Sequence, residues 1–175
     1  MDLLGLLRKR KSIRNYTDAP VTDEQIAKIL QAALLAPSSR AFYPAEFIVI
    51  RDREMLSRLA VTKAGGSAML AGAGAAVVVI GDSDKSDAWI EDCSICLTNM
   101  MLQATELGIG SCWSQIRNRA SSQENISADE YLHTLLGIPE KYSVEAILSL
   151  GIPDADPGEK ELPDPDSPKV HYGRF

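Results

Sequence analysis

The chain is poor in the residues on which most recognisable site chemistries depend. It has three cysteines and two histidines in 175 residues. Cys93, Cys96 and Cys112 are odd in number and lie in apolar surroundings, which argues against a disulfide framework and favours free core thiols. Cys93-Ser-Ile-Cys96 has no second cysteine pair and lies within a helical pattern, so it reads as core packing, and no metal site is expected. Neither His133 nor His171 has a Ser or Cys nucleophile in an elbow or triad setting, so a hydrolase is not indicated. Long apolar runs are missing too. The most apolar stretch, 93–107, is broken by Asn99, Gln103 and Glu106 and falls short of the roughly 20 residues a membrane span needs.

Excess positive charge is also absent. With 18 Lys+Arg against 24 Asp+Glu and a net charge of -6, general binding to nucleic acid or anionic membrane is not expected. The N-terminus places Leu3, Leu4 and Leu7 before its charges, the reverse of a secretory signal, which points to the cytoplasm. A dinucleotide fingerprint is lacking, because Gly108-Ile-Gly110 and Gly72-Ala-Gly74 do not follow strands.

What is present is a single unbroken domain, 1–175, with 45% hydrophobic residues and no composition shift or repeat. Asp2 caps a short first helix through Leu3, Leu4 and Leu7 that ends at a basic cluster. Thr22 and Gln25 form a capping box for a helix carrying Ile26, Ile29, Leu30, Ala33 and Leu34 on one face, ended by Pro37. A strand over Ala45–Arg51 precedes a helix begun by Asp52, and Ala75–Gly81 reads as a strand buried on both faces. Ser86 is the expected cap of a long core helix stopped by Gly108. A strand over Gly110–Ile116, a helix capped by Ser127 with Glu130, and a last strand over Val144–Gly151 follow. The expected fold is α+β, an α/β sandwich, with an extended polar tail from Pro153 that lies over the surface or wraps a partner subunit.

Three segments carry chemistry. Arg8-Lys9-Arg10-Lys11-Ser12-Ile13-Arg14 gathers cations and a hydroxyl between two helices, where a phosphate would fit, although a basic run is often only a solvated face. Ala36-Pro37-Ser38-Ser39 leaves a helix and reads, alone, as an ordinary loop. Gly108-Ile-Gly-Ser-Cys-Trp-Ser-Gln-Ile116 brings backbone amides and an aromatic to where a planar ligand would lie, or is a plain helix-to-strand turn.

In this order, Arg10-Lys-Ser12-Ile-Arg14, Ala36-Pro-Ser-Ser39 and Leu107 to Trp113 resemble the nitroreductase family, with likeness extending to Trp89-Ile-Glu-Asp92 and Val170-His-Tyr-Gly173. The resemblance implies a homodimer with a mixed, mostly antiparallel sheet flanked by helices. It implies noncovalent FMN at the subunit interface and hydride passage from NADH or NADPH to a small-molecule acceptor such as a nitroaromatic or quinone. The cofactor-binding residues it implies are Arg10, Lys11, Ser12 and Arg14; Pro37, Ser38, Ser39 and Tyr43; Ser67; Trp113, Ser114, Gln115 and Ile116; and Arg174. Ser38 and Ser39 would reach the flavin of the other subunit. No catalytic side chain is assigned, since positioning and fixed charge carry such chemistry. Ala41, Tyr43 and Ala45 depart from common family residues, and Glu159-Lys160-Glu161 stands where a basic pair usually precedes Leu-Pro, leaving Lys160, Lys169 and Arg174 as substitutes. The alternative is a non-catalytic protein that binds FMN or another phosphorylated ligand through Arg8–Arg14.

Overall fold

The computed structural model describes residues 2–165 and 167–175; Met1 and Asp166, counted above in the N-terminal stretch and the tail, lie outside it. Five helices form where the local signals lie: α1 (Leu3–Lys9), α2 (Asp23–Leu34), α3 (Arg53–Ala60), α4 (Trp89–Glu106) and α5 (Ala128–Leu136). The capping boxes at Thr22/Gln25 and Ser127/Glu130 close in both directions, and Asp2 and Asp52 accept from the third backbone N–H beyond them. Ser86 is not a helix cap. Its hydroxyl accepts from Ala88 N at 3.2 Å in a turn, and α4 begins only at Trp89, with Ala88 as its flanking residue and no side-chain cap.

The strands β1 (Ala45–Ile50), β2 (Ala75–Asp82), β3 (Gly110–Gln115) and β4 (Tyr142–Gly151) make one sheet in the order β1-β2-β4-β3. Among the described residues the pairings between these strands are all antiparallel; the only parallel element is an isolated bridge between Ser12 and Ser111. Strand limits differ slightly from the expected ones. Arg51 leaves β1, its guanidinium turned to Asp23 and to Val21 O, while Tyr142 and Ser143 extend β4 backwards.

Two cores flank the sheet. Val77, Val79, Ala146, Leu148 and Leu150 pack against α2 and α4 through Ile29, Leu97 and Met100, and Val78, Ile80 and Ile147 pack against α3 and α5 through Leu56, Leu59 and Leu132. Strict alternation along β4 breaks once. Val79 pairs with Ala146 but Ile80 pairs with Val144, so Glu145 is the extra residue of a bulge. That shift keeps Val144 with the α3/α5 core and leaves a carboxylate at the end of the sheet next to β3.

Candidate functional site

The N-terminal cations are placed by two glycines. Gly110 of β3 and Gly151 of β4 face each other across the strands. A β-carbon at Gly151 would lie 2.6 Å from the Tyr16 ring, and one at Gly110 would lie 2.8 Å from Ile13 Cγ2. The bare backbone therefore forms a slot in which the extended run 10–16 lies against the sheet. Ile13 N donates to Ser111 O at 2.9 Å, Thr17 N donates to Ile152 O at 2.8 Å, and the Tyr16 hydroxyl donates to Ile13 O at 2.6 Å. That hydroxyl also lies 2.8 Å from Ser149 Oγ.

An extended run alternates sides. Lys11 and Ile13 face a groove bounded by the end of α4 and by the tail, where Lys11 Nζ donates to Pro157 O. Arg14 turns the other way, into a cavity of about 650 Å³ also lined by Lys63, Trp113, Gln115, Arg117 and Arg119. It also lines an adjoining cavity of about 570 Å³ with Tyr16 and Met69.

The floor of the larger cavity is rigid and polar. Trp113 Nε1 donates to Gln115 Oε1 at 2.8 Å, and Gln115 Nε2 donates to the Glu145 carbonyl and carboxylate, each at 3.1 Å. Glu145 is only 3% exposed, and its Oε2 lies 3.3 Å from Arg117 Nε without the alignment of a hydrogen bond. β3 is an edge strand, and its free side faces this cavity. Ser111 O and Gln115 O, both turned away from β4, accept from Ile13 N and Lys63 Nζ. By the period of two, the backbone of Trp113 shares that open edge. Burial, and then the neighbouring Arg119 cation, hold the Lys63 ammonium below its ordinary pKa.

A second group of cations gathers where the tail returns over α1. Arg8 binds Lys160 O and Glu159, and Lys160 N donates to Arg8 O at 3.0 Å. Desolvation, followed by repulsion from Arg10 and Lys11, depresses the Lys160 pKa, which puts the three cations in one neighbourhood. Of the substitutes the tail offers, Lys160 is the one found beside Arg10. Arg174 lies in the exposed C-terminal end.

The other residues named from the sequence divide sharply. Ser114 is buried and donates to Gly66 O at 3.3 Å, while Ser67 is fully buried with an unpartnered hydroxyl. The Ile116 side chain is wholly inside the α3/α5 core, and its backbone is engaged as well, N–H to Glu145 O and carbonyl by Arg119 N. Pro37, Ser38 and Tyr43 line a separate small cavity beside the start of α4. There Ser38 Oγ donates to Asp92 Oδ2 at 2.7 Å and Ser39 N donates to Asp92 Oδ1 at 3.0 Å, while Tyr43 N donates to Ser38 Oγ. Arg40, Ala41 and Tyr43 all have positive φ, so this loop is strained and pinned by the buried Asp92. Cys93 and Cys96 are buried in the core, and burial raises both thiol pKa values, that of Cys96 to about 11. Both stay protonated and unreactive at neutral pH.

Lys63, Arg117, Arg119 and Glu145 were not anticipated. The available signals were a lysine before Gly65-Gly66 and a second basic cluster, Arg117-Asn-Arg119, just after the aromatic strand.

Comparison with known proteins gives one consistent result. A model described as the nitroreductase family matches residues 7–64 and 53–152. A relative in Archaeoglobus fulgidus, provisionally described as an NADH dehydrogenase/NAD(P)H nitroreductase, is 41% identical over 99% of both chains. An FMN-dependent nitroreductase from Clostridium difficile R20291 superimposes with a TM-score of 0.91 at 47% identity, covering 99% of this chain and 100% of that one. An NADPH:FMN oxidoreductase from Vibrio harveyi, solved with NAD+, superimposes with a TM-score of 0.76 at 25% identity, covering 97% of this chain and 76% of that one.

Proposed function

The chain belongs to the nitroreductase family, and on that premise we propose that it is an FMN-dependent NAD(P)H oxidoreductase that passes reducing equivalents to a small-molecule acceptor of the nitroaromatic or quinone kind. The observation that carries this reading is one continuous path of donors. Arg10 and Lys160 stand at one end, where the tail returns over α1, the extended run leads to Arg14, and Arg14 opens on the free edge of β3 at Trp113. Four residue-to-residue steps of extended chain lead from Arg10 to Arg14, ~13 Å at the usual rise. A ligand with a terminal phosphate and a planar ring, joined by a polyol chain, suits that span.

The residues present fit FMN. Cations suit its phosphate, the buried Ser67 and Ser111 hydroxyls lack partners, and the strand-edge amide at Trp113 lies beside a rigidly held aromatic ring. When bound, FMN supplies a carrier that takes a hydride from a nicotinamide and gives it up to the acceptor. With FMN bound, the open edge of β3 would hold the ring, Arg14 would set a positive charge where negative charge develops on reduction, and Trp113 and Met69 would wall the two cavities against water. No side chain has to take or give a proton.

The working unit is read as a homodimer of single-domain chains. No residue of α1 is buried, and Leu34 and Leu35 at the end of α2 are 68% and 83% exposed, as is expected of surfaces that a second copy covers. In that dimer the loop pinned by Asp92 offers Ser39 and Tyr43 to the partner's flavin, and the tail beyond Lys160 embraces the partner. Among the described residues no helix is long and apolar enough to cross a membrane. The cytoplasm, where NADH and NADPH are made, is the site of action.

The test is an anaerobic titration. The purified protein binds FMN with quenching of its fluorescence, and NADH or NADPH bleaches the bound flavin. Protein that holds no FMN, or bound FMN that neither nicotinamide bleaches, defeats the proposal. Light scattering on the loaded protein should give the mass of two chains, and a flavin-loaded monomer defeats the interface reading.

A further inference from the structure

The larger cavity holds more positive charge than the proposed cofactor requires. Arg14, Lys63, Arg117 and Arg119 line it, and among the described residues Glu145 is its only carboxylate. Glu145 answers Arg117, 3.3 Å away. On that reading Arg14 answers the charge that a reduced ring develops, and the FMN phosphate belongs to Arg10 and Lys160. Lys63 is anchored at 3.0 Å on Gln115 O, and Arg119 has no ion-pair partner among the described residues. Arg119 and Lys63 line one cavity closely enough to repel each other, and an anion bound between them would relieve that repulsion.

Arg119 is also held in place by its backbone. Asn118 adopts φ +58, a left-handed turn just beyond β3, and this brings the Arg117 and Arg119 side chains back to the same cavity. Arg119 N donates to Ile116 O at 3.0 Å, and Arg119 O accepts from Ala128 N at 2.9 Å at the start of α5. An isolated bridge between Lys63 and Ser121 sets the two segments side by side.

Resting on the oxidoreductase reading, we propose that Arg119, backed by Lys63, is a specificity residue that selects an acceptor bearing a carboxylate or similar anionic group. The guanidinium fork takes the anion and leaves the reducible group over β3. For a nitro acceptor, two electrons and two protons convert nitro to nitroso with loss of one water. NAD(P)H supplies the hydride, and solvent supplies the second proton. The nicotinamide donor's phosphates are the other anions that Arg119 would meet, and the test separates the two.

The acceptors are 4-nitrobenzoate and 4-nitrobenzamide, and the non-reducible probes are benzoate and benzamide, titrated calorimetrically into the FMN-loaded protein. Benzoate should bind about tenfold tighter than benzamide. Arg119→Gln should lower the carboxylate-to-amide ratio of kcat/KM at least fivefold and Arg119→Lys should restore part of it, while stopped-flow bleaching by NADH and NADPH stays unchanged. Comparing the ratio between variants cancels the intrinsic difference between the two compounds. An unchanged ratio in Arg119→Gln overturns the proposal. So does a variant whose nicotinamide dissociation constant rises while the ratio holds, since that assigns the cation to the donor. A flavin that NAD(P)H cannot bleach defeats the parent reading instead, and the calorimetric comparison still decides whether Arg119 binds the anion.

Discussion

β2 and β3 lie in the same sheet, one strand apart, and both are largely buried, yet they do opposite work. Every residue of β2 is buried, and the strand is paired on both edges, by β1 and by β4. β3 reads Gly-Ser-Cys-Trp-Ser-Gln, is paired with another strand on one edge only, and beyond the Ser12–Ser111 bridge opens its other edge to a cation-lined cavity. Burial therefore does not separate the stabilising strand from the functional one. What separates them is whether the backbone's hydrogen-bonding capacity is used up. β2 spends its capacity on the sheet and its side chains on two cores. β3 keeps part of its backbone in reserve, and its small residues let the run 10–16 and the Gly66 loop come close.

Substitutions should divide along that line. Val78→Asp places an unpaired charge in the α3/α5 core, which costs on the order of 3–5 kcal/mol. We expect no cooperative unfolding transition by circular dichroism; a native-like transition would show that β2 is not the structural strand. Arg14→Ala lies on the other side of the comparison. It should weaken FMN binding tenfold or more, about 1.4 kcal/mol, and slow flavin reduction. The apoprotein's urea midpoint should change little, as is usual for an exposed site. Unchanged flavin affinity together with a lowered midpoint would reverse the assignment.

Tyr16 joins the two regions, since it fills the Gly151 slot and bonds to Ser149 of β4. Tyr16→Phe should cost about 1 kcal/mol of stability in urea unfolding. Burial pushes the Tyr16 phenol from 10.0 to about 12. The native state therefore disfavours the phenolate. The stability this brings is complete below pH 10 and is lost as pH rises towards about 12. The fall in stability between those pH values should be shallower in Tyr16→Phe, and an identical fall would remove Tyr16 from the account. Lys160→Ala should have the smallest effect, a few-fold loss of FMN affinity that high salt erases, because an exposed cation contributes under about 1 kcal/mol. A loss that salt leaves intact would mean that the lysine holds the tail rather than the ligand.

Much of the fold was legible in the sequence because its signals are local. Capping boxes three residues long, apolar faces of α2 and α5, and the unbroken Ala-Ala-Val-Val-Val-Ile of β2 need no distant information. Ser86 misled for the same local reason. A serine before an acidic and apolar run looks like a cap, but the turn at 83–88 takes its hydroxyl two residues early. The site was legible in part. Arg14, Trp113 and Gln115 do meet at one cavity, whereas Lys11 faces the opposite groove and Ser38 is engaged by Asp92.

The sequence by itself determined the helices and, apart from the start of α4, where they begin, the apolar centre of the sheet, and the order of the three segments that mark the family, because each depends on neighbours a few residues apart. Only the tertiary structure decided that Gly110 and Gly151 would face each other and admit Ile13 and Tyr16. It also decided that a single bulge would leave Glu145 beside Gln115 and Arg117, and that Lys63 and Arg119 would share one cavity. These are encounters between segments dozens of residues apart. Their geometry is set by strand register and close packing, which no short window of sequence contains.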